Sequence, residues 1–180
     1  MPLLGAKTGF LSDDEIVTVT NEMLRYARRE VQLVSPWIGA DHHTFERLLD
    51  CVDRGVKVTV FCRPPTEKDP NHLTAVKKLA SLGVEVLEDP VLHAKMLIID
   101  REEILVSSAN LVHTSQVRNH EAGIGTVERQ IVEDALSYLA TLRKRIEAAP
   151  RQYCKGCGCE IPVDASKPYC LECWKSDRRP

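Results

Sequence analysis

Val91-Leu92-His93-Ala94-Lys95-Met96-Leu97-Ile98-Ile99-Asp100, followed after a short turn by Ile104-Leu105-Val106-Ser107-Ser108-Ala109-Asn110, is the stretch on which the fold turns. The first run is short, apolar and rich in branched residues, and this predicts a strand over 91–100. Arg101-Glu102-Glu103 supplies a turn and 104–108 a second strand, so the pair reads as an antiparallel hairpin. Strand side chains alternate between faces, which puts His93 and Lys95 on the same side. Ser108 and Asn110 share a face as well, provided the chain stays extended to Asn110. The hairpin then gathers an imidazole, a fixed cation and two neutral hydrogen-bonding groups. That set suits a phosphate diester: lysine supplies charge, serine and asparagine supply hydrogen bonds, and histidine attacks or exchanges protons near neutral pH.

Working outward toward the N-terminus, helices and strands alternate. Ser12-Asp13-Asp14-Glu15 has the form of a capping box, opening a helix with Ile16, Val19, Met23 and Ala27 on one face. A strand is predicted over 31–35, and then a helix from about Asp41 that points Phe45, Leu48, Leu49 and Val52 inward and stops at Gly55. Strand 56–62, a break at Pro64-Pro65, a helix over 71–82 ended by Gly83, and strand 84–87 follow. Gly55-Val56-Lys57-Val58 and Gly83-Val84-Glu85-Val86 echo each other after successive helices. This alternation implies parallel βαβ units with right-handed crossovers. Toward the C-terminus, a strand over 122–126 and a helix over 127–149 complete the domain. The helix is expected to bury Val127, Ile131, Leu139, Leu142 and Ile146, and its Arg143, Lys144 and Arg145 to form a solvated face suited to the helix dipole. The predicted class is α/β, a mixed β-sheet flanked by helices. Ligands of such sheets sit beyond the carboxyl ends of the strands, where Trp37 and Arg63 fall.

His93, Lys95, Asp100, Ser108 and Asn110 match, in type and spacing, the His-x-Lys-x4-Asp and Gly-Ser-x-Asn segments of the phospholipase D superfamily, which this chain resembles. Arg101 and Ser107 stand where that pattern often has glycine. The resemblance implies a phospholipase D-like fold and phosphodiester chemistry through a phosphohistidine. It also implies two copies of the motif acting together, one histidine as nucleophile and the other as acid and then base. This chain has one copy, and one histidine cannot easily fill both roles in a step, so a homodimer sharing one site across its two-fold axis is expected. The resemblance further gives Glu121 the role of orienting the histidine ring and Asp100 that of a structural tie. The chemistry itself then calls for no metal. His113 and His120 read as loop residues, His42 and His43 as surface, and Cys51 and Cys62 as small core residues.

From Pro150 the composition changes. Cys154-x2-Cys157 and Cys170-x2-Cys173, twelve residues apart, have the spacing of a four-thiolate structural zinc site, with Cys159 as a bystander. About 30 residues cannot fold on an apolar core alone, so the metal would supply the folding energy. The division expected is a phospholipase D-like catalytic domain over 1–149 and a zinc ribbon over 150–180. The ribbon resembles those appended to nucleic-acid enzymes. Six basic against four acidic side chains make it a docking or positioning element more than a basic clamp.

The formal net charge of −2 offers no general attraction for polyanions, so any grip must be local. Aromatics at 5% leave few rings on which bases could stack. No signal peptide or apolar run of membrane-spanning length is visible, and a cytoplasmic chain is expected. The function expected is hydrolysis of nucleic-acid phosphodiesters by a small endonuclease. Hydrolysis or transfer of phospholipid head groups, and a non-catalytic phosphate-binding adapter docked through the ribbon, are the alternatives.

Overall fold

The computed structural model describes residues 8–112, 119–149, 152–155, 160–161 and 173. The elements in chain order are β1 (Gly9–Ser12), α1 (Asp14–Tyr26), β2 (Glu30–Val34), α2 (His43–Asp53), β3 (Lys57–Cys62), α3 (Pro70–Ser81), β4 (Glu85–Glu88), β5 (Met96–Ile99), β6 (Glu103–Ser107), β7 (Ala122–Thr126) and α4 (Arg129–Ala148). Two short strands, β8 (Gln152–Tyr153) and β9 (Glu160–Ile161), lie in the tail. The chain divides into two compact units at Arg143 and Lys144.

Seven strands form one mixed sheet in the order β1-β7-β6-β5-β2-β3-β4. The βαβ reading holds for β2, β3 and β4, which are parallel. The hairpin reading holds for β5 and β6, with Met96 opposite Val106 and Ile99 opposite Glu103. The expected strand over 91–100 is shorter than composition suggested, because only Met96–Ile99 joins the ladder. β1 was not anticipated: it is four residues long and pairs along β7 at the sheet edge.

One sheet face carries the main core. Val31, Leu33, Val58, Val60, Leu97, Ile99 and Leu105 pack there against Ile16, Met23 and Leu24 of α1, Phe45 and Leu48 of α2 and Leu79 of α3. Alternation turns Val34, Phe61, Ile98 and Ile104 to the opposite face, where they are equally buried. Glu85 is on that face and pairs with Arg143 of α4. Arg143 therefore does not join a solvated basic face. Of the residues expected inward on α4, Leu139 and Leu142 are buried, together with Val132 and Leu136, whereas Ile131 is 45% exposed. The helix starts at Arg129, so Val127 precedes it, and Val132 takes the inward place expected of Ile131.

Local signals fix the ends of the helices. Asp69 caps α3 by accepting from His72 N at 3.2 Å, with Pro70 at the first position. Gly55 and Gly83 take φ of +76° and +77° just past α2 and α3, a conformation that side chains resist. Glu15 reaches back to Ser12 N at 3.0 Å, one half of a capping box, but Ser12 Oγ also donates to Glu15 and does not cap the helix. His42 is buried, contrary to the surface reading: as N-cap of α2 its Nδ1 accepts from Thr44 N at 3.2 Å.

Candidate active site

Because β5 runs antiparallel to β2 and β6, its N-terminal approach lies at the carboxyl ends of β2, β3 and β6. His93 and Lys95 sit on this approach, outside the strand itself. Residues beyond β2 (Trp37), β3 (Arg63) and β6 (Ser108 and Asn110) lie at the same sheet end, together with Glu121 just before β7. The motif residues other than Asp100 are thus gathered by topology at one end of the sheet.

His93 is exposed. Lys95 Nζ donates to His93 O at 2.7 Å and lies 3.2 Å from Nδ1 and 3.3 Å from Nε2. The two ring lone pairs diverge, so an ammonium equidistant from both is aligned with neither. Burial holds the Lys95 ammonium below the ordinary lysine value of 10.5; Glu121 acts against that shift and Arg63 adds to it. Lys95 and Asn110 line one cleft with Ser35 and Ser107. Asn110 Oδ1 is buried there and has no hydrogen-bond partner among the described residues.

Ser108 and Asn110 do not share an extended strand. After Ser107 the chain leaves the ladder, and Leu111 bridges to Ile38. Ser35, missed in the sequence, makes this crossing: its Oγ donates to Trp37 O at 2.7 Å and accepts from Leu111 N at 2.9 Å. The Ser108 hydroxyl donates to Glu121, and Ala122 N donates to it at 3.1 Å. Asn119 Nδ2 holds the other Glu121 oxygen at 3.2 Å. Glu121 therefore orients Ser108, and among the described residues it makes no hydrogen bond to His93. Its backbone is latched to Asp13 through Glu121 N to Asp13 Oδ1 at 2.8 Å and Asp13 N to Glu121 O at 3.0 Å. That backbone N–H, with His120, holds the Asp13 carboxyl below the usual carboxylate range. His120 is a fully exposed loop residue; His113 lies outside the described residues.

Asp100 is not in this cluster. It lies at the far end of β5, where its carboxylate accepts from Arg28 N at 3.0 Å, Arg29 N at 2.7 Å and Glu30 N at 3.0 Å. It ties the hairpin turn to the start of β2. His72, which the sequence also left unassigned, is only 2% exposed. Its Nδ1 accepts from Ile38 N at 3.1 Å and its Nε2 donates to Arg63 O at 2.9 Å, bracing the loops after β2 and β3. A lone histidine in an apolar helix gives no sequence sign of such a strut.

In the tail, β8 and β9 pair antiparallel, with Tyr153 opposite Glu160, so Cys154 follows directly on the first strand of a hairpin. Cys154 and Cys173 are 3% and 2% exposed. Among the described residues no three potential ligands converge; Cys157, Cys159 and Cys170 lie outside them.

Residues 21–143 match the family model described as cardiolipin synthase, PLD-like domain, and the chain belongs to that phospholipase D-like family. It is 29% identical over 137 residues to cardiolipin synthase A of Pseudomonas aeruginosa, covering 72% of this chain but 28% of that enzyme. Among solved structures it is similar to Nuc, a phospholipase D family member from Salmonella typhimurium, with a TM-score of 0.68, 15% identity, and coverage of 77% of this chain and 95% of that one. NucT from Helicobacter pylori gives a TM-score of 0.65, 17% identity, and coverage of 77% and 96%. These structural likenesses establish the fold. The membership and the site together define a phospholipase D-like domain, which spans little more than a quarter of the cardiolipin synthase it matches. Among the described residues no helix is long and apolar enough to cross a membrane.

Proposed function

We propose that this chain hydrolyses phosphodiester bonds of nucleic acid, as a homodimer whose single site is shared by two copies of His93. The observation that carries the chemistry is one exposed imidazole with an ammonium at 3.2 Å, beside an unpartnered buried asparagine oxygen. One His93 attacks phosphorus while the partner's His93 gives its proton to the departing oxygen. The latter then takes a proton from water, whose oxygen displaces the first ring and breaks the phosphorus–nitrogen bond. Lys95 from each copy meets the charge on the phosphoryl oxygens. The match to Nuc and NucT over nearly their whole length supports a small protein built on one such domain, whereas the match to the cardiolipin synthase covers a minor part of it.

The phospholipid reading has its own support in the cardiolipin synthase relatives and in an apolar row across one sheet face. Phe10, Ile124 and Val106 are register neighbours, exposed by 71%, 52% and 43%. Incubating the wild type and His93→Ala with single-stranded DNA, duplex DNA, RNA and a phosphatidyl lipid, in EDTA, separates the two. Polynucleotide cleavage by the wild type alone is expected. Release of lipid head group alone replaces the first reading with the second, and inactivity on every substrate leaves a phosphate-binding adapter.

For the tail we propose one structural zinc held by Cys154, Cys157, Cys170 and Cys173. Cys154, directly after β8, and Cys173 are both buried, which fits thiolates turned inward on a metal. Metal release by a thiol-modifying reagent should give about one zinc per chain, and none from Cys173→Ser. A chain that is metal-free as purified yet retains an ordered tail rejects the assignment.

A further inference from the structure

Arg63 is a second cation at the site that the chemistry of one phosphate leaves unused. Its Nε donates at 2.8 Å to Leu92 O, the carbonyl just ahead of His93. Its guanidinium carbon lies 4.7 Å from the centre of the Trp37 ring. Its own backbone is fixed on both sides, N–H to Pro36 O at 3.1 Å and carbonyl to His72 Nε2 at 2.9 Å. The arginine is therefore anchored at four points, and its charge is close enough to Lys95 to help lower that lysine's pKa. These anchors use Nε and one face of the guanidinium. Among the described residues Nη1 and Nη2 have neither a hydrogen bond nor a carboxylate partner.

A guanidinium usually meets its carboxylate or phosphate through a fork of two N–H groups. Here Nε is taken by the carbonyl just ahead of His93, and the outer pair of nitrogens is left without a partner among the described residues. Trp37 has one ring face covered by the arginine, so it orients a cation and does not offer that face to a base. The overall charge is slightly negative, so binding a polyanion depends on such local groups.

We infer that Arg63 forms a subsite for the phosphate adjacent to the one His93 attacks, so that the site favours ligands carrying successive phosphates. This rests on the phosphodiesterase reading above and deepens it, by giving the site a reason to prefer a polynucleotide to a single diester.

The test uses the full zinc-loaded chain, Arg63→Ala and Arg63→Lys, with a single-stranded oligonucleotide and with bis(4-nitrophenyl) phosphate, which has one phosphorus. For Arg63→Ala, the loss of kcat/KM on the oligonucleotide should exceed the loss on the small ester by about tenfold or more, the scale of one charged hydrogen-bond pair. Its dependence on log salt should become shallower by about 0.7, one phosphate contact on a single strand. Arg63→Lys should recover part of both. Equal losses on the two substrates overturn the subsite, since Arg63 would then act only through the Leu92 carbonyl on His93. Calorimetric titration with inorganic tripolyphosphate and orthophosphate separates this from the nucleic-acid reading. An Arg63-dependent preference for tripolyphosphate by a protein that leaves oligonucleotides uncut keeps the subsite and rejects the nuclease. No such preference in the wild type rejects the subsite, whatever the enzyme cleaves.

Discussion

A Cβ added at Gly123 would lie 2.9 Å from Ser107 Cβ and 2.9 Å from Val106 O. Ser107 and Gly123 are register partners on β6 and β7, so the side chain missing on one strand makes room for the side chain present on the other. This is how a serine is accommodated directly before Ser108, where the family pattern often has glycine. Gly123→Ala should push β7 off β6 and destabilise by about 1–3 kcal/mol, the usual range for overpacking. Adding Ser107→Gly should restore only part, because the Val106 carbonyl is backbone and stays in the way. Urea midpoints of the two single variants and the double variant check this, and full restoration would remove the backbone clash from the account. Lys95 supports a second prediction at this scale. Its ammonium must be charged to meet phosphate, and burial lowers its pKa from 10.5, so kcat/KM should fall on the alkaline side below that value. Glu121 opposes the shift, so Glu121→Gln should move the fall to still lower pH. Lys95→Arg should abolish it up to about pH 11, because arginine keeps its proton there. A wild-type profile flat to that pH would remove Lys95 as the charge partner.

The hairpin turn shows how an element is held by something other than its own strands. Asp100 and Arg101 have φ of +52° and +61°, and Asp100 accepts the backbone N–H groups of Arg28, Arg29 and Glu30, the segment leading into β2. Asp100→Ala should lower stability by about 1–3 kcal/mol, since those donors lose a charged acceptor. Arg101→Gly should raise it by about 1 kcal/mol, because glycine takes the left-handed conformation without the Cβ penalty. Opposite shifts in Tm are the check; equal signs reject the clasp. Elements with a strong period were legible from the residues: the faces of α1 and α2, the parallel β2–β3–β4 unit and the β5–β6 hairpin. What failed to show has physical causes. Val91 to Lys95 run without a break signal into the apolar Met96–Ile99, and composition cannot tell a lead-in from a hydrogen-bonded ladder. β1 is too short to alternate visibly. Ser35 and His72 act through backbone groups distant in sequence, and pattern carries no record of that. Cys51 and Cys62 were legible as core, and burial pushes their thiols up to about 11 and about 12, so both should resist thiol reagents in the native fold.

At the scale of the whole molecule, the decisive quantity is how many copies of His93 one reaction needs. A protomer offers one such ring, exposed at the end of its sheet. The proposed mechanism uses one ring as nucleophile and another as acid, so a dimer with a single intact His93 lacks one role. Co-expressing wild type with His93→Ala makes this countable. If protomers pair at random and only dimers with both rings turn over, activity scales with the square of the wild-type fraction. An equal mixture should then retain about one quarter of the activity of the same total amount of wild type, against about one half for independent sites. Native mass spectrometry of differently tagged subunits verifies that the mixed dimer has formed. A linear dependence in the presence of mixed dimers means that each protomer completes its chemistry alone. The acid would then have to come from another group at the sheet end, and among the described residues Lys95, deprotonating at a lowered pKa, is the nearest such donor to the His93 ring.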